Sequence, residues 1–302
     1  MGSPSTGLNV ICVAAVDAEG EMYDKNSTNM KPSSQSYLLK PMLCAPGVEI
    51  MTGDIPDSGS SFAAPIVTGI IALLMDEFGM ISYPEFYMSL LASSCNVVSQ
   101  QMEQVDIQAG FGLVNYTNAR NNYNSASTYT ITDETTLIGM QAFSKQIIIE
   151  PGKEILANTV VCYNSPYSEI RGDNSMPANT IPDFTRIKLA IQDVETGQIF
   201  YGNAKSNFSY LRFCNNSSAT RTYKLIVYLD SAKTIIGNEF CSLSYAVKDL
   251  HVHNYVWNFE DLVDNHRAYC ACGVSKIEDH TWEIVDPNAL LCTSCGQVYT
   301  WE

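Results

Sequence analysis

Histidine is almost missing from this sequence. The 302 residues hold four, His251, His253, His266 and His280, and none stands in the first 250. Chemistry in that stretch has no imidazole of its own. Positive charge is also scarce: 17 Lys and Arg stand against 32 Asp and Glu, a net charge of −15. Such a chain repels polyphosphate and anionic lipid, which disfavours nucleic acid and anionic membrane surfaces as partners. No run of 18 or more uncharged apolar residues is present, so no membrane span is expected. The stretch from Met1 to Gly7 lacks the basic n-region and apolar h-region of a secretory signal.

Apolar residues are plentiful, at 46%. A chain of this length is expected to form about two domains, with room for a small extra module. Of the ten cysteines, Cys12, Cys44, Cys95, Cys162, Cys214 and Cys241 are scattered among apolar residues and read as buried free thiols rather than disulfides. The other four cluster near the C-terminus.

The stretch Gly59-Ser60-Ser61-Phe62-Ala63-Ala64-Pro65 places a serine at the mouth of an apolar segment, Ile66 to Met75. A helix with no polar face is expected to be buried in the middle of a domain. With a helix start near Ser61, Pro65 falls in or next to the first turn, where its missing N–H costs little. Ser61 then lies beside unpaired N–H donors at the positive end of a helix dipole, a place suited to a reaction that develops an oxyanion. The same pattern is also that of a serine N-cap on a core helix.

The context separates the two readings. Asn9 to Asp17 reads as a buried strand, and Cys44 to Ile50 as a turn into a second strand. The serine helix follows, then an amphipathic segment from Tyr83 to Ser94, then Gln108-Ala109-Gly110-Phe111-Gly112-Leu113-Val114-Asn115. In order and rough spacing, from about residue 9 to 120, these segments resemble the C-terminal half of a subtilisin-like serine protease domain. That family shows a strand ending in Val-Asp, an Ala-Pro-Gly-Val turn, a Gly-Thr-Ser-Met-Ala-x-Pro serine motif and a Gly-x-Gly-Leu-Val-Asn segment. Here Ser60 replaces the usual Thr, Phe62 the usual Met, and Ile66 stands where many members carry His. The resemblance implies that Ser61 is the catalytic nucleophile of a serine endopeptidase acting on peptides or proteins outside the cell or at its surface.

The family orders its triad Asp, His, Ser along the chain. Only 60 residues precede Ser61 and none is histidine. The family's side-chain oxyanion donor, an upstream Asn, has no match, because Asn9 is already inside the strand pattern. A serine hydroxyl without a base is a weak nucleophile, so this polypeptide is expected to be inactive alone, as a fragment of a longer protease. The alternative is a non-catalytic surface or binding protein with a vestigial protease half. The resemblance leaves room for calcium, to which no residue here is assigned.

From Asn118 to Thr132 the sequence is rich in Asn, Ser, Thr and Tyr and reads as a linker leading into a new domain. Beyond it, strands are expected at Lys145–Glu150, Ile155–Tyr163, Arg186–Asp193, Ile199–Tyr201, Tyr210–Cys214, Thr222–Leu229 and Glu239–Val247. This spacing predicts an all-β sandwich, jelly-roll-like and similar to those appended to secreted subtilases. The last 50 or so residues carry Cys270-Ala271-Cys272-Gly273 and Cys292-Thr293-Ser294-Cys295-Gly296. Four thiolates so spaced suit tetrahedral zinc, with His266 and His280 in reach; two disulfides remain the other option. The expected organisation is an α/β half-domain over 1–120, a β-sandwich over 130–249 and a small Cys/His-rich module over 250–302.

Overall fold

The structure is a computed structural model that describes residue 7 and residues 9–26, 39–98, 104–131, 141–162, 186–205, 207–231, 239–249, 255–258, 265–270, 275–279, 281–286, 289–293 and 298–300. The chain divides into two compact units. One holds residues 1–96 and 103–250, the other residues 97–102 and 251–302.

In the first unit, β1 (Val13–Val16) and β2 (Leu43–Pro46) pair in parallel, with Ala14 opposite Cys44. Both are short apolar runs buried almost throughout, the pattern of a parallel strand covered on its faces. Ala45 and Pro46 are part of the strand itself, and Gly47 N–H continues the parallel pairing by donating to Val16 O at 2.9 Å. The segment around Leu113 extends β2 on its far side: Leu113 bridges Cys44 in parallel, and Val114 N–H donates to Cys44 O. On the near side, Met22 bridges Val16, and the Asn26 side-chain amide both accepts from and donates to the Ala15 backbone, at 2.9 and 2.7 Å. An otherwise open β1 edge is closed by a side chain that mimics a strand.

A hairpin of β3 (Ile50–Thr52) and β4 (Ile55–Asp57) leads to α1 (Ser60–Phe78), which packs on β1 and β2. Only Ala63, Val67 and Leu74 of α1 are buried. The expectation of a helix buried all round is therefore corrected: the opposite flank is exposed, Leu73 at 53%, up to Glu77, which meets Tyr116 and Arg120 near the helix end. By length and composition alone α1 is also long and apolar enough to cross a membrane, although three of its side chains are buried in the unit's core.

The reverse holds for α2 (Pro84–Ser94). Its sequence reads as amphipathic, yet every residue from Glu85 to Ser94 is buried. One side meets the apolar core that α1 also faces. The other meets β7 (Lys153–Val161) and β13 (Glu239–Asp249). Polar residues on that side are paired: Ser89 Oγ donates to Asn158 Oδ1 at 3.0 Å, and Ser93 Oγ lies 2.7 Å from Ser244 Oγ. The stretch expected as a linker is ordered structure. It forms α3 (Tyr116–Asn121), capped by Asn115, then a 3-10 turn, then β5 (Ser127–Ile131).

The remaining strands of this unit are β6 (Gln141–Ile149), β8 (Arg186–Asp193), β9 (Ile199–Tyr201), β10 (Asn203–Lys205), β11 (Phe208–Cys214) and β12 (Arg221–Ser231). They assemble with β5, β7 and β13 into two antiparallel sheets, in the orders β10-β11-β7-β13-β5 and β6-β12-β8-β9. Alternating residues of both sheets, among them Ile149, Ile155, Leu189, Leu225 and Leu243, meet in one apolar cluster. Period-two patterning, visible in Arg186 to Asp193, positions that cluster.

In the second unit, β14 (Tyr255–Asn258), β15 (Asn265–Cys270) and β16 (Ser275–Asp279) form one antiparallel sheet. A second is formed by β17 (Trp282–Asp286), β18 (Ala289–Cys292) and β19 (Val298–Thr300).

Candidate active site around Ser61

Ser61 is the second residue of α1 and is exposed. Its position is set by glycines. Gly59 precedes the helix in an extended conformation, φ 160° and ψ 159°, and its N–H donates to Gly47 O at 2.7 Å. A Cβ on Gly47 would lie 2.8 Å from Ala15 Cβ and 2.9 Å from Gly59 O. Only a residue without a side chain lets the β2 turn touch both β1 and the approach to the helix. That contact fixes the serine relative to the parallel strands. Pro65 is the sixth residue of the helix, one turn deeper than a first-turn proline. Its missing N–H leaves the Ser61 carbonyl without the usual i+4 donor.

Ser61 makes no cap. Gly59 holds the N-cap position, with no side-chain capping bond. The N-cap reading of this serine is thereby set aside. What remains is a free hydroxyl next to first-turn N–H groups, where partial positive charge gathers. Such a site stabilises an oxyanion but does not deprotonate a serine. The four histidines all belong to the second compact unit or its approach. His251, His253 and His280 lie outside the described residues, and His266 is in β15.

Thiol nucleophiles offer no substitute. Burial pushes the Cys95 thiol up to about 12. Burial, then the Glu85 carboxylate, pushes Cys162 up to about 12. Burial also raises Cys44 and Cys241 well above the thiol range. These groups stay protonated at neutral pH and are inert. Cys44, Cys95, Cys162, Cys214 and Cys241 form no disulfide, in keeping with the buried-thiol reading.

The structure also gathers a buried polar group that no sequence pattern signals. Glu85 is 2% exposed, and its Oε1 has no hydrogen-bond partner. Burial raises its carboxyl, opposed by its own backbone N–H and by Cys162. Lys40 is 5% exposed, donates to Val10 O, and is lowered by burial to about 8. Lys40, Glu85 and Cys162 are too far apart in the chain to have been read together.

Of the four cysteines expected to bind metal, Cys270 ends β15 and Cys292 ends β18, where it is buried. Cys272 and Cys295 lie outside the described residues.

Comparison with known proteins gives matches at the N-terminal end. Residues 1–112 match the family model Peptidase_S8, the subtilase family. The structure of the patellamide maturation protease PatA is 26% identical, with a TM-score of 0.34 over 40% of this chain and 45% of that one. The structure of the prenylagaramide maturation protease PagA is 26% identical, with a TM-score of 0.33 over 40% of this chain and 44% of that one. The chain thus spans less than half the length of these solved relatives. No curated protein matches it. With the ordered series of motifs and the family match over 1–112, the N-terminal part of this chain is similar to the subtilase family.

Proposed function

We propose that Ser61 is the nucleophile of a serine endopeptidase that cleaves peptide bonds in protein or peptide substrates outside the cell or at its surface, and that its base and orienting carboxylate come from polypeptide outside this sequence. The observation that supports this most is the placement of Ser61. It is an exposed hydroxyl at the head of a 19-residue helix, held against the parallel strands by the Gly47–Gly59 contact. In the complete site, an imidazole takes the Oγ proton as Oγ bonds to the scissile carbonyl carbon. First-turn N–H groups face the oxyanion. The imidazolium then protonates the leaving amine, and water attacks the acyl-serine by the same route. The bare flank of α1 leaves room for the polypeptide that brings the imidazole.

The test is labelling with a fluorophosphonate. The chain alone is expected to stay unlabelled. The same chain joined to a family-type Asp- and His-bearing segment is expected to label at Ser61, with Ser61→Ala removing turnover by on the order of 10⁶-fold. Rapid labelling of the isolated chain refutes the proposed dependence.

One observation favours a second reading, a non-catalytic surface or binding protein. Met22 and Asn26 close the outer edge of β1, so the strands need no further neighbour there. Under that reading no added segment restores labelling.

We also propose that Cys270, Cys272, Cys292 and Cys295 hold one structural zinc ion. The support is positional: Cys270 and Cys292 each end a strand, and each has its second cysteine two or three residues on in the sequence. About one zinc per chain, lost on chelation with the fold of this unit, is the expected result. Cysteines that resist alkylation until reduced indicate disulfides instead.

A further inference from the structure

The triplet Asn-x-Ser/Thr occurs five times in the sequence, at Asn26, Asn115, Asn207, Asn215 and Asn216. In an exported protein this triplet is the acceptor for N-linked sugar. The structure separates the five. A glycosylated amide nitrogen keeps one N–H and carries a bulky substituent, so the folded protein tolerates it only where that nitrogen faces open solvent. Asn26 donates to Ala15 O at 2.7 Å and accepts from Ala15 N–H at 2.9 Å, closing the β1 edge. Asn115 caps α3 by accepting from Asn118 N–H, and its Thr117 lies inside that helix. Asn207 is 2% exposed and donates to Val161 O at 3.0 Å. Asn215 is fully buried, with its two amide hydrogens taken up by Ile149 O and Ala219 O.

Asn216 differs because of Asn215. Both stand in the connection from β11 to β12. The Asn215 backbone donates to Lys153 O and accepts from Gly152 N–H, both at 3.0 Å. Its side-chain oxygen accepts from Ser217 N–H at 3.0 Å and from Ser217 Oγ at 2.7 Å. That anchor shapes the loop from within and leaves Asn216 and Ser218 exposed. Neither side chain has a hydrogen-bond partner among the described residues. The acceptor amide and the hydroxyl two residues on are thus presented together, on a loop whose shape depends on neither.

We propose that Asn216 is a glycosylation site, the acceptor for an oligosaccharide delivered from a lipid-diphosphate donor during export. The proposal rests on the reading of this chain as a protein outside the cell or at its surface. In the transfer, Asn216 Nδ2 bonds to C1 of the reducing-end sugar. The bond from C1 to the diphosphate oxygen breaks, its electron pair leaves on the diphosphate, and Nδ2 gives up one proton. Asn215, Ser217 and the Tyr223 hydroxyl that donates to Asn215 Oδ1 at 3.3 Å keep their bonds. Sugar on Asn207 or Asn215 would instead pull a buried donor away from Val161 O or Ile149 O, leaving a carbonyl unpaired inside the protein.

The test expresses the full chain behind a cleavable export leader in yeast. Each asparagine-bearing peptide is read by mass before and after peptide N-glycosidase in heavy-oxygen water. One glycan per chain is expected, at Asn216, with a single step in gel mobility on enzyme treatment. Asn216→Gln and Ser218→Ala are each expected to abolish the step, and the second does so with the asparagine still in place. Ser217→Ala removes the Asn215 triplet but keeps that of Asn216, and should retain the step. Treated and untreated chains should melt together. Absence of sugar from the secreted chain, sugar at Asn26, Asn115, Asn207 or Asn215 in place of Asn216, or a step that survives Asn216→Gln overturns the proposal. The leader supplies export, so absence of sugar counts against Asn216 and not against the extracellular reading. Labelling of Ser61 is read on a different peptide, so failure of the peptidase reading leaves this result standing.

Discussion

At the scale of single residues, two glycines and one buried acid carry most of the consequence. Gly47 touches Ala15 and the Gly59 carbonyl at once, so Gly47→Ala must push β2 away from β1 or from the head of α1. A loss of about 1–3 kcal/mol is expected, read as a lower urea midpoint with unchanged slope. Gly110 has φ +63° and would place a Cβ 2.1 Å from Met42 O, so an alanine there is excluded by both conformation and space. Glu85 acts in another way. Burial raises its folded carboxyl above the ordinary 4.5, so the folded protein holds this proton more tightly than the unfolded chain. Its cost is absent below the unfolded value and grows as pH climbs through the raised folded value. Stability from this group should therefore fall as pH rises from the ordinary carboxylate range through the raised folded value, and Glu85→Gln should flatten that fall and raise the midpoint above it. A variant whose midpoint tracks the parent at every pH would show that Glu85 is charged without penalty.

At the scale of elements, the two long helices exchange the roles that their sequences announce. The apolar α1 keeps an open flank, whereas the mixed α2 is enclosed. The reason is what each helix touches. A sheet of the C-terminal strands turns Asn158 and Ser244 toward α2, where they pair with Ser89 and Ser93. On the far side of α1, Glu77 near the helix end meets Tyr116 and Arg120 at the surface. Leu90 is fully buried at the centre of α2, and Leu90→Ala should cost about 2–5 kcal/mol. Because α2 contacts both the N-terminal core and β7 and β13, the loss should lower one shared transition. Two separate transitions in calorimetry, with only one shifted, would contradict this. The ion pair of Arg120 and Glu77 ties the end of α1 to α3 at the surface. The Arg120 hydrogen bond holds the Glu77 carboxyl below its usual range, and a small contribution from it should fade as pH drops below that range.

At the scale of the molecule, the segment similar to subtilases and the two facing sheets form one compact unit. Val160 and Phe208 belong to β7 and β11, yet they are buried in the N-terminal core. A piece cut to 130–249 would expose them and the face of the sheet that α2 covers. Such a piece is expected to bind apolar dyes and aggregate, whereas residues 1–250 should not. A soluble, cooperatively melting 130–249 piece would show the sheets to be self-sufficient.

Much of this was legible in the chain. The similarity to subtilases over residues 1–112, the helix that Ser61 heads and nearly every strand from 145 to 247 follow from local chemistry: motifs in a set order, a small-residue turn before a helix, and period-two alternation. These are short-range signals, because backbone geometry and side-chain direction depend on near neighbours. Which faces are covered is a different matter. The burial of Glu85 and Lys40, the structure of residues 118–131 and the exposed flank of α1 all arise from contacts between residues distant in sequence. Residue pattern determined what each segment could become. Only the tertiary structure decided what each came to rest against, because burial depends on the partner as much as on the residue buried.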